Sequence, residues 1–236
     1  MKHQLFKATE RGVKDLGWLQ SNFNFSFSSY ANPLRNGFGL LKVFNDDFVA
    51  AGKGFGLHPH QNMEIISVMI DGKMNHKDNM GYSEVVEKDW VQIMSAGTGL
   101  RHEEYNVGDE TVNFLQIWIE PKLQNIHPRY QKRYFPKEKR INTLTTIVSN
   151  QEGTQHCWIN QNAQISLGAF NTQSSYKYTL SQTNKCVFIF NIKGKLNIAG
   201  TDILEKDAIG LWETDKIYLH IEPNSEFIVI EVPINH

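Results

Sequence analysis

The chain has 236 residues, of which 40% are hydrophobic and 21% are charged, and its formal net charge is −1. This length can bury a core in one large domain or two small ones. The balanced charge argues against a nucleic-acid or membrane-surface role, and no apolar run is long enough for a membrane span or signal peptide. Two well-separated cysteines, Cys157 and Cys186, predict buried reduced thiols and a cytoplasmic location.

Most of the first half reads as short strands. The candidate helices are short: residues 13–20 and a piece of the stretch 123–140. We expect a turn at Asn45-Asp46-Asp47 and a hairpin at Asp71-Gly72, because both are turn-forming clusters next to apolar runs. Period-two alternation and β-rich composition predict strands at residues 23–27, 40–45, 63–70 and 112–119.

The character of the chain changes over residues 123–140, a polar stretch with two prolines that we expect to be a strap between domains. Strands are again predicted at residues 165–170, 186–192 and 227–232. The apolar run into Asp71-Gly72 is echoed by a run into Lys193-Gly194, which hints at two similar units in tandem. Short strands at close spacing predict an all-β sandwich or barrel.

The first of two histidine clusters is His58-Pro59-His60. Side chains two residues apart on a strand point to the same face, so both imidazoles can reach one ion. On a helix the same two side chains would diverge, and Pro59 also disfavours a helix interior while suiting an edge strand.

The second cluster is His102-Glu103-Glu104. The same alternation pairs His102 with Glu104 and turns Glu103 to the other face. Three imidazole nitrogens and one carboxylate oxygen suit iron, nickel, copper, manganese or zinc and leave positions open for water or substrate. We therefore predict one metal site from His58, His60, His102 and Glu104.

Other residues near these clusters are weaker candidates for the cavity. His76 and Asp78 share a strand face, and they are read as cavity-mouth groups or, preferably, as ordinary polar positions near a hairpin. Gln92 and Met94 alternate on the strand before the second cluster, with core packing favoured for Met94. Phe25, Phe27 and Phe55 are candidates for an apolar wall. Four histidines without a partner at ligand spacing are read as structural or exposed: His127, His156, His220 and His236.

Both clusters lie in segments that resemble cupin motifs. The first motif-like segment has Gly52, His58-Pro59-His60 and Glu64, and the second runs from Asp89 through Ser95-Ala96-Gly97 to His102 and Asn106. The second departs from the usual pattern, with Asp89 in place of glycine and Ser95 in place of proline. More narrowly, residues 10–135 resemble the pirin family of bicupins, including its quercetinase-like members. The residues that carry this likeness are Gly17-Trp18-Leu19, Phe25-Ser26-Phe27, Phe55-Gly56-Leu57-His58-Pro59-His60, Met63-Glu64, Gln92-Ile93-Met94-Ser95-Ala96-Gly97-Thr98-Gly99, His102, Glu104-Tyr105-Asn106 and Gln116-Ile117-Trp118-Ile119.

The resemblance implies two tandem cupin barrels: a metal-binding domain over residues 1–135 and a metal-free cupin-like domain over residues 136–236. It places the metal on His58, His60, His102 and Glu104, the set that the spacing also selects. It implies one divalent transition metal, with iron favoured over nickel, copper, manganese, cobalt or zinc. Glu64 binds metal in many other cupins but not typically in pirins, so we expect it to be a carboxylate behind the ligands or at the core edge that orients a ligand histidine.

The quercetinase-like pirins imply a dioxygenase that cleaves quercetin or related flavonols with O₂. The flavonol 3-hydroxyl and 4-carbonyl would approach the metal, Glu104 would accept the hydroxyl proton, and ring opening would release carbon monoxide. Two alternatives remain open at this point: a metal- or redox-responsive regulatory binding protein, and an isomerase or hydrolase that uses the same metal as a Lewis acid.

Overall fold

The computed structural model describes residues 1–181 and 185–235. They are almost entirely strands and connecting turns, with two 3-10 segments at Ala8–Glu10 and Lys137–Lys139. Within these ranges no helix is long and apolar enough to cross a membrane. The strands are β1 Lys2–Phe6, β2 Gly12–Asp15, β3 Leu19–Phe23, β4 Leu41–Val49, β5 Gly54–His60, β6 Glu64–Asp71, β7 Lys73–Asp78, β8 Ser83–Glu87, β9 Trp90–Ser95, β10 Leu100–Asn106, β11 Val112–Ile119, β12 Arg129–Tyr134, β13 Thr143–Ser149, β14 Cys157–Trp158, β15 Gln164–Phe170, β16 Ser174–Thr179, β17 Lys185–Lys193, β18 Leu196–Ile198, β19 Thr201–Ile203, β20 Ala208–Trp212, β21 Lys216–Ile221 and β22 Ser225–Pro233.

The strands form two cupin barrels, each built from a seven-stranded and a four-stranded sheet. In the N-terminal barrel the large sheet has the order β12-β9-β6-β11-β4-β3-β2 and the small sheet β5-β10-β7-β8. In the C-terminal barrel the orders are β1-β20-β17-β22-β15-β13-β14 and β16-β21-β18-β19. The predicted tandem all-β fold is therefore confirmed.

The two barrels share one apolar core. Phe44 of β4 packs against Phe188 and Phe190 of β17, with ring centroids 5.2 and 4.8 Å apart. The cluster around them combines buried residues from both large sheets. Burial of apolar area of this kind is the main favourable term in folding, so the large sheets hold the barrels together.

The predicted domain boundary at 135/136 remains a prediction, but one strand crosses it. β1, at the start of the chain, pairs antiparallel with β20 in the C-terminal barrel, from Lys2 opposite Trp212 to Phe6 opposite Ala208. Phe6 is buried in the shared core. The first strand therefore belongs to the second barrel, a non-local pairing that period-two alternation cannot predict.

The predicted strap over residues 123–140 is partly regular structure. It contains β12, which pairs with β9 at the edge of the N-terminal large sheet. Asp89, just before β9, has a φ of +64°, the left-handed region that favours glycine. Its carboxylate accepts a hydrogen bond of 2.6 Å from Arg140 at the end of the strap. Asp89 thus adopts the left-handed backbone conformation that favours glycine, the residue that the usual motif has at this position.

The predicted helix over residues 13–20 is wrong. This segment forms the paired strands β2 and β3. Gly17 at φ +79° makes the turn between them, and the Asp15 carboxylate accepts a hydrogen bond from its backbone N–H at 2.7 Å. The apolar spacing at Val13 and Leu16 mimics a helix, but both side chains are exposed.

The Asp71-Gly72 turn exists, but the expected hairpin is wrong. β6 pairs with β9 and β11, whereas β7 pairs with β8 and β10, so the turn carries the chain from the large sheet to the small one. The strand predicted at residues 23–27 is also largely wrong. β3 ends at Phe23, and Phe27 makes only an isolated bridge with Tyr30.

Asn45-Asp46-Asp47 does not end a strand. All three residues lie in the middle of β4, which continues to Val49. Polar residues persist here because each face of the strand meets polar surroundings. Asp46 is ion-paired with Arg11 and Lys206, while Asn45 and Asp47 face the interior of the N-terminal barrel.

Candidate metal centre

The histidine clusters lie on neighbouring strands of the N-terminal small sheet. β5 is the edge strand and pairs with β10, where His58 is opposite His102. Pro59 is thus on an edge strand, as its missing N–H requires. Two residues further along β10, Glu104 is opposite Phe55, so β5 contains one extra residue at Gly56-Leu57. This bulge turns Phe55 and His58 to the same side, although their odd spacing would otherwise separate them.

His58, His60 and His102 converge on one point. Their ring centroids are 4.4 to 4.9 Å apart, and one nitrogen of each lies within 4.8 Å of the other two. The Nδ1–H of His58 donates to the Gly56 carbonyl at 2.7 Å, which leaves its Nε2 lone pair free. The buried Nε2 atoms of His60 and His102 have no hydrogen-bond partner among the described residues. These donors therefore fit a divalent metal.

Glu104 is buried beside His102 and His76. One oxygen of Glu104 and one nitrogen of each of these two histidines lie within 4.8 Å of one another. The Gln92 amide donates to Glu104 Oε1 at 2.6 Å, and the Tyr130 hydroxyl donates to Gln92 Oε1 at 3.0 Å. Gln92 is thus positioned to orient the carboxylate and is not among the residues that line the cavity beside the histidines.

His76 lies behind the cluster rather than at an ordinary polar position. It is 1% exposed, its Nδ1 is 3.4 Å from Nδ1 of His102, and its Nε2 is 3.1 Å from the Asp78 carboxylate. Its ring stacks on Tyr130 with centroids 4.5 Å apart. The preferred interpretation of His76 and Asp78 as ordinary polar positions is wrong, because both side chains lie on the buried face of β7.

Burial and neighbouring groups keep the imidazoles of His60 and His102 neutral by lowering their pKa values. Burial, with His102 and His58 nearby, lowers the pKa of His60 to about 4. Burial also lowers the pKa of His102 to about 4, despite the opposing effect of Glu104. For Glu104, burial raises the pKa, but hydrogen bonding and charge from His76 and the charge of His102 outweigh it and lower the value to about 2. Neutral imidazole and ionised carboxylate are the forms that bind metals.

A cavity of about 280 Å³ opens beside His58, His60 and Glu104. This is close to the lower end of small-molecule sites, about 300–1,000 Å³. Its wall includes Phe27, Phe55 and Trp118, and the Trp118 ring packs edge-on to His60 at 5.0 Å. Phe55 and Phe27 thus line the cavity as predicted. Phe25 does not, because it is fully buried between the barrels, 5.7 Å from Phe6.

Two other candidates lie away from the histidines. Glu64 accepts hydrogen bonds from Ser95 Oγ at 2.8 Å and from the Asn160 backbone N–H at 3.2 Å. It therefore joins the two halves of the chain at the core edge. No histidine is among these hydrogen-bond partners, so they give no support to the expected orienting of a ligand histidine. Met94 is buried with Ile65 and Leu100 in a small apolar cluster, as expected for core packing.

Three of the four histidines that have no partner at ligand spacing bond to ordinary protein groups. Nδ1 of His127 contacts the Pro128 carbonyl, that of His156 the Cys157 carbonyl, and that of His220 the Ser175 hydroxyl. They are structural or exposed, as predicted. His236 lies outside the described residues.

Sequence reasoning missed Asn45 and Asp47, which line the cavity with Gln116. The signal was present as an Asn-x-Asp alternation, in register with Gln116 opposite Asn45 and Ser21 opposite Asp47. It was hidden because three consecutive polar residues also fit a turn.

Family models match both halves of the chain. A family model described as Pirin matches residues 6–119, and one described as Quercetinase C-terminal cupin domain matches residues 146–232. Quercetin 2,3-dioxygenase of Escherichia coli K12 is 35% identical over 230 residues, which is 97% of this chain and 98% of that protein.

Solved structures agree along the whole chain. The crystal structure of YhhW from Escherichia coli is 34% identical, covers 100% of both chains and has a TM-score of 0.93. The bacterial pirin YhhW in complex with nickel(II) is 34% identical, with coverage of 98% and 99% and a TM-score of 0.92.

Proposed function

This chain belongs to the pirin family of cupin proteins, and from that premise we propose that it is a metal-dependent dioxygenase that cleaves quercetin or a related flavonol with O₂. The observation that carries the proposal is the convergence of His58, His60 and His102 beside an aromatic cavity. Similarity to a protein named quercetin 2,3-dioxygenase supports the substrate class.

We assign the metal to His58, His60, His102 and Glu104. The free imidazole nitrogens support the first three ligands, and the position of Glu104 next to His102 supports the fourth. When bound, a divalent metal supplies a Lewis acid that lowers the pKa of the flavonol 3-hydroxyl. Iron is the metal we propose, and nickel is the first alternative because a similar pirin was crystallised with it.

The chain's own groups position the substrate and move its proton. Glu104 accepts the 3-hydroxyl proton, and Gln92 holds Glu104 Oε1 in place with support from Tyr130. Phe27, Phe55 and Trp118 exclude water from the flat ring system. The overall reaction adds O₂ to the flavonol, opens its heterocycle and releases carbon monoxide.

We keep the domain division at residues 135/136, with β1 as an exchanged strand. Cys157 and Cys186 are both buried free thiols, which supports a cytoplasmic location.

The test is turnover by protein of known metal content. Chelated protein is reloaded separately with iron or nickel and mixed with quercetin in air, and flavonol absorbance, oxygen uptake and carbon monoxide are followed together. We expect metal-dependent loss of flavonol with release of carbon monoxide, and strong loss of activity in Glu104→Gln.

The matched control is Glu103→Gln, since Glu103 lies on the other face of β10, 3.7 Å from Lys77. It should turn over like the unmodified protein. Full activity in metal-free protein or in Glu104→Gln would contradict the proposal. Absence of turnover in every metal-loaded form would instead favour the regulatory binding role.

A further inference from the structure

Strand β4 presents two polar side chains to the metal cavity. Asn45 and Asp47 are two residues apart and line the same cavity as His58, His60 and Glu104. Asp46, between them, points the other way, with its Oδ2 3.4 Å from Arg11 and 3.1 Å from Lys206. Alternation thus separates a structural, ion-paired carboxylate from one that faces the cavity.

The two cavity-facing side chains are buried and incompletely bonded. Asn45 is 2% exposed and Asp47 is 4% exposed. The Oδ1 atom of each has no hydrogen-bond partner among the described residues. Leaving a buried acceptor without a donor costs about 1–3 kcal/mol, so two such atoms from one face of the same strand call for an explanation.

The surroundings define what ligand could satisfy these atoms. Much of the cavity wall is aromatic and suits a flat ring system, with Phe23, Phe114 and Trp118 among the lining residues. Two acceptor oxygens on the large sheet require hydrogen-bond donors, which an aromatic ligand provides as phenolic hydroxyls. The histidines lie on the small sheet, so a chelating group and a hydroxyl-bearing group would contact different sheets.

The ionisation of Asp47 is compatible with this role. Burial raises the pKa of Asp47 to about 7, with Ser21 opposing and the charges of Asp46 and Glu104 adding to the rise. Whether ionised or protonated, the carboxyl group keeps an oxygen that can accept a hydrogen bond.

We propose that Asn45 and Asp47 form a hydroxyl-binding subsite that accepts hydrogen bonds from phenolic hydroxyls of the substrate and thereby selects polyhydroxylated flavonols. The inference rests on the proposed function, because the chelating end of the same molecule must reach the histidine cluster. It assigns substrate selection to β4 and leaves metal binding to β5 and β10.

The test compares two flavonols that share the chelating 3-hydroxyl and 4-carbonyl. Quercetin carries further hydroxyls, whereas 3-hydroxyflavone carries none. Metal-loaded protein is titrated with each in the absence of oxygen, so that binding is measured without turnover. Metal content and thermal stability are recorded for every variant.

We expect Asp47→Ala to weaken quercetin binding about ten-fold or more, as for loss of a hydrogen bond to a buried carboxyl group. Binding of 3-hydroxyflavone should change less than about two-fold, the level expected for a side chain it does not contact. Asp47→Asn keeps an acceptor oxygen and should recover part of the quercetin affinity. We expect the same result for Asn45→Ala, which replaces Asp47→Ala in the test if that variant does not fold. Asp71→Asn, at an exposed carboxylate of β6, is the control.

Unchanged quercetin affinity in Asp47→Ala and Asn45→Ala, or equal losses for both flavonols, would overturn the subsite. The proposed reaction can fail separately. Selective weakening of quercetin binding without any turnover in air would support the subsite and contradict only the dioxygenase. Turnover with an undiminished preference for quercetin in Asp47→Ala would contradict only the subsite.

Discussion

The two barrels share a strand order but fill their interiors differently. In the C-terminal barrel one continuous apolar cluster spans both sheets and includes Val187, Ile209, Leu219 and Phe227. In the N-terminal barrel the interior side chains form two smaller apolar clusters. The histidine cluster, Glu104 and the cavity occupy much of the remaining space.

Equivalent strands of the two barrels bury different types of side chain. β10 buries His102 and Glu104, whereas β21, in the same place of the second small sheet, buries Ile217, Leu219 and Ile221. β7 likewise buries His76 and Asp78, whereas β18 buries Leu196 and Ile198. One barrel thus supplies stability through apolar packing, and the other uses the same framework to hold buried polar groups that gain partners from each other.

The largest expected effect is on metal binding in the N-terminal barrel. His60→Ala and His102→Ala should each lower metal affinity by more than about 100-fold, because loss of a group that merely orients a ligand already costs about 10–100-fold. Metal per chain after dialysis measures this. His220→Ala, on the outer face of the equivalent strand β21, should bind metal normally. Full metal content in His102→Ala would contradict the ligand assignment.

The next effect is on stability and comes from the C-terminal barrel. Leu219 is fully buried, so Leu219→Ala should lower the free energy of unfolding by about 3 kcal/mol through lost burial and a residual cavity. Metal content of the folded protein should stay unchanged. Denaturant unfolding and elemental analysis on one sample check both. Loss of metal from folded Leu219→Ala would show that the barrels do not divide these tasks.

A smaller, pH-dependent effect is expected where the two halves of the chain meet. Burial raises the pKa of Glu64 to about 7, although Ser95 and Asn160 donate to its carboxylate. A raised carboxyl pKa favours the folded state most below the ordinary value of 4.5, and this contribution is lost as pH rises toward 7 and beyond. Through this group the unmodified protein should lose about 2–3 kcal/mol of its free energy of unfolding between pH 4.5 and 8. Glu64→Gln should not show this loss.

Denaturant unfolding of metal-free protein at several pH values measures this difference. Glu87→Gln, at an exposed position of β8, is the control and should follow the unmodified protein at every pH. Parallel stability curves for Glu64→Gln and the unmodified protein would show that Glu64 does not carry the pH dependence.

The smallest predicted effect concerns the support of Glu104. Tyr130→Phe keeps the ring that stacks on His76 but removes the hydroxyl that donates to Gln92. One lost hydrogen bond of this kind costs about 0.5–1.5 kcal/mol, so kcat/KM for quercetin should fall about three- to ten-fold. Tyr134→Phe, at an exposed position of the same strand, should have no effect. An equal change in both variants would contradict a role for the hydroxyl.

Period-two alternation along single strands was enough to predict much of the candidate site. The spacing of His58 with His60, and of His102 with Glu104, places each pair on one strand face, and this depends only on residues two apart. The β-rich pattern followed from equally local signals. His76 was seen as a candidate but given the weaker role, because its burial depends on which sheet β7 joins.

The sequence by itself determined the all-β character and the chemical identity of the donor cluster, since both are expressed in short-range periodicity. The tandem barrels were predicted from an echoed strand pattern together with the family resemblance. Only the tertiary structure decided that β1 crosses to the second barrel, that a bulge in β5 brings Phe55 beside His58, and that Asp47 faces the metal cavity. Strand partners and register are set by contacts between distant segments. The polar residues of β4 resemble a turn until the paired strands on either side place them in a barrel.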